Sequence, residues 1–163
     1  MGVEAGDFDG LYRGQHRRVV AVLVAVCGEP DLARDAADEA FARAYDRWDR
    51  VARMEAPAGW VYRVALNVLR RSLRRRALEM RLLHRQYLPA EDVVPHPEVW
   101  AAVRSLPVRQ RTAIGLRFVA DLAEADIAAV MGVSRGTVSS TLADARGRLA
   151  ELLADEAPAE VVP

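Results

Sequence analysis

The chain has 163 residues, enough for one compact domain or two small ones, and a hydrophobic fraction of 52% argues against a disordered chain. Its 23 basic and 23 acidic residues cancel, so the net charge by itself indicates no nucleic-acid or membrane partner. Cys27 is the single cysteine, which excludes an internal disulfide and a cysteine-rich zinc site. No apolar run reaches the roughly 18 residues of a membrane span, so we expect a cytoplasmic protein without membrane insertion.

Three helical patterns occupy the first half of the chain. The first runs from about Phe8 to Cys27, and its apolar face comprises Phe8, Leu11, Tyr12, Val19, Leu23 and Val26. Asp31 is predicted to cap a second helix, whose buried stripe comprises Leu32, Ala36, Ala40, Phe41, Ala44, Tyr45 and Trp48. Pro57 suits the first turn of a third helix, which carries Trp60, Val61, Val64, Val68 and Leu73 inward.

The third helix continues into a basic segment that the neutral total conceals. From Trp60 to Arg85 the only acid is Glu79, and the basic residues are Arg63, Arg70, Arg71, Arg74, Arg75, Arg76, Arg81 and Arg85. A solvated face is the ordinary interpretation of such a run. Here arginines share one side with Trp60 and Asn67, and guanidinium, aromatic and amide groups suit phosphates, unpaired bases and base edges. We therefore predict a surface for separated DNA strands, although Trp60 as a simple core residue is equally open.

The helical periodicity fails between Gln86 and Pro97, where prolines and acids predict a linker over residues 86–97. This boundary separates a first module of residues 7–85 from a second of residues 98–153, and residues 154–163 resemble a frayed tail. In the second module, Leu106 and Pro107 open a helix with Ile114, Leu116 and Phe118 as candidate core residues. No strand-like alternation is present. The predicted fold class is all-α, with two small helical bundles joined by a flexible linker.

The segment from Asp126 to Leu149 has the pattern of a helix-turn-helix. Ile127 and Val130 form the inner face of its first helix, Gly132 suits a left-handed turn, and Ser134 is a suitable N-cap for the next helix. The apolar stripe of that helix is Val138, Leu142, Ala145 and Leu149. The residues predicted to contact duplex DNA are Arg135, Thr137, Ser139, Ser140 and Arg146. The alternative is an ordinary helical hairpin with solvated serine and threonine side chains.

Two all-α modules with these motifs in this order resemble an extracytoplasmic-function (ECF) sigma factor of bacterial RNA polymerase. The strings FDGLYRGQHRRVV and DLARDAADEAFARAYDRWDRV resemble the first part of the family's region 2. The string PAGWVYRVALNVLRRSLRRR resembles the part that recognises and opens the promoter's −10 element. LPVRQRTAIGLRFVADLAEADIAAVMGVSRGTVSSTLADARGRL resembles region 4, which reads the −35 element. The resemblance implies a subunit that binds core polymerase and directs promoter-specific transcription initiation.

The resemblance also implies roles for individual residues. The outer face of the second helix, with Asp38, Glu39 and Arg43, is expected to bind the clamp helices of the polymerase β′ subunit. The connection from Arg50 to Ala56 matches the loop that captures a flipped base. The implied −10 residues are Arg53, Trp60, Arg63, Asn67, Arg70 and Arg74. Further implied partners are the polymerase β flap, promoter DNA and a separate anti-sigma factor, with no cofactor.

The chain departs from the family pattern at four positions. Asp38 stands where glutamine is usual, and Arg71 stands where aspartate is frequent. Ser139 and Thr141 replace basic residues of the recognition helix. Each missing phosphate contact would flatten the salt dependence of DNA binding by roughly 0.9 in log-log slope, so binding by the second module alone should be weak.

Two other classes of function use parts of the same sequence pattern. A conventional helix-turn-helix regulator would use the same C-terminal motif, with the first module serving for homodimerisation or sensing. An enzyme has little support because His16, His84 and His96 are scattered and the HExxH, phosphate-loop and Ser-His-acid patterns are missing. We therefore expect no catalytic residue and no metal site.

Overall fold

A computed structural model describes residues 7–83 and 96–156 of the chain, and within these ranges the secondary structure is helical with no strand. The predicted all-α class is therefore confirmed. The helices are α1 (Phe8–Cys27), α2 (Pro30–Asp46), α3 (Trp48–Val51), α4 (Pro57–Leu83), α5 (Pro97–Ser105), α6 (Val108–Ile114), α7 (Glu124–Met131) and α8 (Arg135–Glu156). A π-helical turn, Gly115–Val119, continues α6. Most of the predicted linker lies outside the described residues.

The first bundle is built from α1, α2 and α4. The Asp7 side chain accepts hydrogen bonds from the backbone amides of Asp9 and Gly10 and caps α1, which ends at Gly28 with φ of 72°. Alanines form most of the buried face of α2, so α1 and α4 approach it closely. The largest fully buried side chains of this bundle are Val19, Val22, Leu23, Phe41, Val51, Val61, Tyr62, Leu66 and Leu69.

Three details of the predicted second helix were wrong. Asp31 is not its cap, because Pro30 occupies the first helical turn and Glu29 takes the N-cap position. Asp31 instead pairs with Arg34, with an N–O distance of 3.0 Å. Tyr45 is 66% exposed, and Trp48 belongs to the separate helix α3, because the chain turns at Arg47.

The second bundle combines α5, α6, the π-helical turn, α7 and α8 around the predicted helix-turn-helix. Gly132 has φ of 68°, and Ser134 Oγ accepts a hydrogen bond of 3.1 Å from the backbone amide of Thr137. Both predictions are confirmed. The buried side chains on these elements include Val103, Leu106, Ile114, Leu116, Ile127, Val130, Val138, Leu142 and Ala145.

Two predictions in this half differ from the structure. Phe118 is 60% exposed, because the wider π-helical turn changes the angular register after Ile114 and rotates this ring outward while Leu116 remains buried. The last helix continues to Glu156, two residues beyond the predicted start of the tail at Ala154.

The two bundles pack directly on each other. Helix α1 contacts α5, α6 and the π-helical turn, and α4 contacts α7, so the buried residues form one continuous core. A Cβ atom on Gly115 would lie 3.3 Å from Val22 Cγ1, which shows how closely the π-helical turn approaches α1. Arg111 donates a hydrogen bond of 2.8 Å to the Val26 carbonyl at the C-terminal end of α1, where the helix dipole favours a cation. Burial lowers the pKa of Arg111 from its usual value.

Candidate nucleic-acid interface

One face of α4 carries five of the six residues predicted to contact −10 DNA. Trp60, Arg63, Asn67, Arg70 and Arg74 recur at helical spacing along it. Arg63, Asn67 and Arg74 are exposed, and half-buried Arg70 donates a hydrogen bond of 3.4 Å to Asn67 Oδ1. The sixth residue, Arg53, is exposed in the connection between α3 and α4. The helix therefore presents guanidinium and amide donors along one line.

The N-terminal end of this face meets the second bundle. Trp60 is half-buried and packs against the core. A cavity of about 160 Å³ lies beside Trp60, between the bundles. Its lining residues are Met54, Ala56, Gly59, Trp60, Arg63, Asp126, Ala129 and Val130. The Arg63 guanidinium donates a hydrogen bond to the Ala129 carbonyl of α7. Sequence reasoning missed this contact, because no local pattern relates residues 66 positions apart.

The first turns of α8 form a second candidate surface. Arg135, Ser139, Ser140 and Arg146 are exposed, whereas Thr137 is half-buried and its Oγ1 lies 2.8 Å from Ser134 Oγ. Thr137 thus takes part in the helix cap. Arg135 Nε lies 3.8 Å from Glu124 Oε2, so its guanidinium is drawn towards the start of α7.

Two acids predicted to bind polymerase are exposed on α2, and each has a partner. Asp38 Oδ1 lies 2.6 Å from His16 Nε2, and Glu39 Oε1 accepts a hydrogen bond of 2.8 Å from Arg43 Nε. The His16 ring lies against Tyr12 and Phe41, with centroid distances of 4.7 and 5.5 Å. Sequence reasoning did not identify His16 as a partner, because the contact joins two helices.

A basic cavity lies between α2 and α4, away from the DNA-facing stripe. Its volume is about 150 Å³, and it is lined by Arg43, Val68, Arg71, Ser72 and Arg75. Glu39 binds Arg43, and Glu79 lies 3.8 Å from Arg75. Arg71 has no such carboxylate among the described residues. Arg71, where the resemblance implies aspartate, thus adds a third guanidinium beside those of Arg43 and Arg75.

The described helices include none that is long and apolar enough to cross a membrane.

Comparison with protein families gives two matches that together span most of the chain. The model of sigma-70 region 2 matches residues 11–79, and that of sigma-70 region 4 matches residues 96–149. The two matches follow the order of the two bundles.

Individual relatives agree with these families. The ECF RNA polymerase sigma factor SigM of Mycobacterium tuberculosis is 32% identical, with 91% of this chain and 80% of the relative covered. The RNA polymerase sigma-E factor of Streptomyces avermitilis is 32% identical, with 92% and 87% covered.

Solved structures share the fold. The sigma factor RpoE of Bartonella quintana, in complex with the anti-sigma factor NepR, has a TM-score of 0.81 at 23% identity, with 90% of this chain and 96% of that chain covered. CnrH in complex with the cytosolic domain of CnrY has a TM-score of 0.68 at 22% identity, with 93% and 92% covered.

Proposed function

We propose a division of labour between the two bundles of this chain, which belongs to the ECF RNA polymerase sigma factors and acts in transcription initiation with RNA polymerase. In this proposal, residues 7–85 bind core polymerase and the −10 element. Residues 98–153 bind the −35 element. The matches to regions 2 and 4 support these boundaries.

The polymerase contact is assigned to the outer face of α2. Asp38 and Glu39 are exposed there, and Arg43 holds the Glu39 carboxylate in a fixed position. Charged groups on an exposed helix suit docking against helices of opposite local charge, because complementary potentials steer association and fix register. The β flap is proposed as a second polymerase contact, made by the second bundle.

The DNA contacts are assigned to the two exposed faces described above. The α4 stripe offers Arg63, Arg70 and Arg74 to phosphates and Asn67 to a base edge, with Trp60 available for stacking. On α8, Arg135, Ser139 and Ser140 lie where a recognition helix enters the major groove, with Thr137 supporting the helix start. The observation that carries the proposal is this pairing of a cationic stripe on one bundle with an exposed recognition helix on the other.

Three further properties follow from the proposed role. A separate anti-sigma factor is proposed as a regulatory partner, since two structural relatives were solved with such a protein or with a second polypeptide. The proposed location is the cytoplasm, where bacterial polymerase works. We also infer that the chain catalyses no reaction of its own, because the two histidines within the described residues, His16 and His96, lie against Asp38 and Glu98 rather than against a nucleophile.

Run-off transcription with core polymerase and genomic fragments tests this proposal. The expected result is promoter-dependent product together with permanganate-reactive thymines at the −10 element. Assembly of a holoenzyme that never produces unpaired thymines would contradict the assignment of strand separation to α4. The alternative of a homodimeric helix-turn-helix regulator is not favoured, because the matched families and relatives are sigma factors.

A further inference from the structure

We propose that α7 covers part of the α4 surface that is assigned to the −10 element. The helix-turn-helix bundle then prevents the chain from binding the separated −10 strand until the two bundles move apart. This inference rests on the proposed function of α4. It adds that α7, a helix of the same chain, competes with −10 DNA for this surface.

The occupied surface is the N-terminal end of the α4 stripe. Arg63 is bound to the Ala129 carbonyl, and Trp60 lines the cavity that α7 borders. Met54 and Ala56, from the connection assigned to base capture, line the same cavity. A DNA strand that runs along α4 towards this connection would therefore meet α7 before it reached either Trp60 or the capture loop.

The groups that α7 presents at this contact carry negative charge or partial negative charge, as a DNA backbone does. Ala129 lies in the last turn of α7, where carbonyl groups lack partners within the helix and carry the negative end of its dipole. Asp126, an exposed carboxylate, lines the same cavity as Arg63. An arginine predicted to bind phosphate is thus satisfied by a helix terminus with a carboxylate nearby, which is a suitable substitute for a phosphodiester.

The occlusion is selective. Asn67 and Arg74 remain exposed farther along α4, and Arg135, Ser139 and Ser140 remain exposed on α8. The closed chain can therefore present its recognition helix to duplex DNA while the N-terminal end of the α4 stripe is covered. This arrangement implies an order of events in which duplex contact precedes separation of the bundles and capture of the −10 strand.

A disulfide across the cavity tests the proposal in the full chain. A Cβ atom on Gly59 would lie 3.8 Å from Val130 Cγ2, an atom bonded to Val130 Cβ, so the side chains of cysteines at these two positions would face each other at close range. The test protein is Gly59→Cys, Val130→Cys with Cys27→Ser, which removes the natural thiol. Neither Gly59 nor Val130 belongs to the proposed DNA-binding residues.

The probe is a fluorescein-labelled 20-nucleotide single strand, with a labelled duplex of the same length as reference. We expect oxidation to weaken single-strand binding at least tenfold and to leave duplex binding within twofold, with full recovery after reduction. Equal single-strand affinity of the oxidised and reduced forms would overturn the proposal. Each single-cysteine variant should show no response to oxidation.

A charge substitution gives a second test that needs no cross-link. Asp126→Asn should raise single-strand affinity about threefold at low salt and much less at 0.5 M salt, because screening removes the effect of an exposed charge. Glu151→Gln, the same chemical change at an exposed position on α8, is the matched control and should have no effect. Equal effects of the two substitutions would overturn the proposed role of Asp126.

Run-off transcription by the wild-type chain separates the two levels of inference. If the wild-type chain directs transcription but the oxidised variant does so equally well, the closed arrangement is not inhibitory while the proposed function stands. If the wild-type chain produces no promoter-dependent transcript, the proposed function itself fails.

Discussion

His16 Nε2 lies 2.6 Å from Asp38 Oδ1, and this contact joins α1 to the outer face of α2. The resemblance implies glutamine at this position, and in this chain the Asp38 carboxylate contacts the His16 ring. Beside it, Glu39 is held by Arg43 on the same helix. The two acids predicted to bind polymerase therefore have different partners. Asp38 contacts a residue of α1, whereas Glu39 contacts a residue of its own helix, α2.

We expect Glu39→Ala to weaken core polymerase binding about tenfold, because it removes the charge oriented towards the partner. Asp38→Gln should leave binding nearly unchanged, since the amide oxygen can still accept from His16. Asp31→Ala is the control, because Asp31 lies on the first turn of α2 with a side chain 98% exposed. Competition binding to labelled core polymerase measures all three, and an equal loss from Asp31→Ala and Glu39→Ala would contradict the assignment.

The recognition helix should gain affinity when a basic family residue is restored. Ser139 is exposed on α8, so Ser139→Lys adds a cation that can reach phosphate without disturbing the core. We expect the log-log salt slope of −35 duplex binding to steepen by roughly 0.9. Ala150→Lys adds the same charge three turns farther along the helix and should not change the slope. Thr141 is less suitable, because its Oγ1 donates a hydrogen bond of 2.6 Å to the Thr137 carbonyl.

The arginine cavity between α2 and α4 predicts an electrostatic effect on stability. Arg71 and Arg75 are like charges four residues apart, a spacing that destabilises a helix by roughly 0.2–0.5 kcal/mol. Arg71→Asp restores the frequent family residue and allows an ion pair with Arg75. We expect a small rise in the free energy of unfolding by urea titration and an unchanged salt slope of single-strand binding, because the cavity lies away from the α4 stripe. A drop in stability would show that the arginine at this position is structurally required.

Local patterns predicted most of the helices and the turn geometry, because a glycine at positive φ and a serine cap act within a few residues. The start of α2 was misplaced for the same kind of local reason, since Pro30 competes with Asp31 for the helix start. Phe118 was misassigned because the π-helical turn changes the angular positions of the side chains after Ile114. The spacing of apolar residues in the sequence does not indicate this turn. Functional assignments came from the order of motifs rather than from periodicity.

Contacts between the bundles were beyond the reach of the sequence. Arg63 has the spacing of a DNA-facing residue, yet its hydrogen-bond partner is Ala129 in the other bundle. Similarly, Arg43, Arg71 and Arg75 come together only because α2 packs against α4. Such contacts depend on the relative placement of helices, whereas the spacing of side chains on one helix depends on that helix alone.

Tyr62 predicts a specific loss of stability at alkaline pH. Its side chain is fully buried between α1 and α4, with Oη 3.4 Å from Gln15 Oε1, and burial raises its pKa from about 10 to about 12 despite the opposing effect of Arg18. A raised pKa in the folded state means that the folded chain holds the proton more tightly than the unfolded chain. The stabilising contribution is therefore complete below pH 10 and is lost as the pH rises to 12, by about 2–3 kcal/mol in total.

The composition makes this pH window unusually simple to interpret. All 23 basic residues are arginines, so no lysine contributes to the alkaline pH dependence, and the single thiol of Cys27 can be removed by substitution. In a Cys27→Ala background, urea unfolding between pH 9 and pH 12 should show the predicted loss, and Tyr62→Phe should flatten it. Tyr45→Phe, at a ring 66% exposed, should not. An unchanged pH dependence in Tyr62→Phe would mean that the folded bundle admits the ionised phenol and that Tyr62 is more accessible to water than its packing indicates.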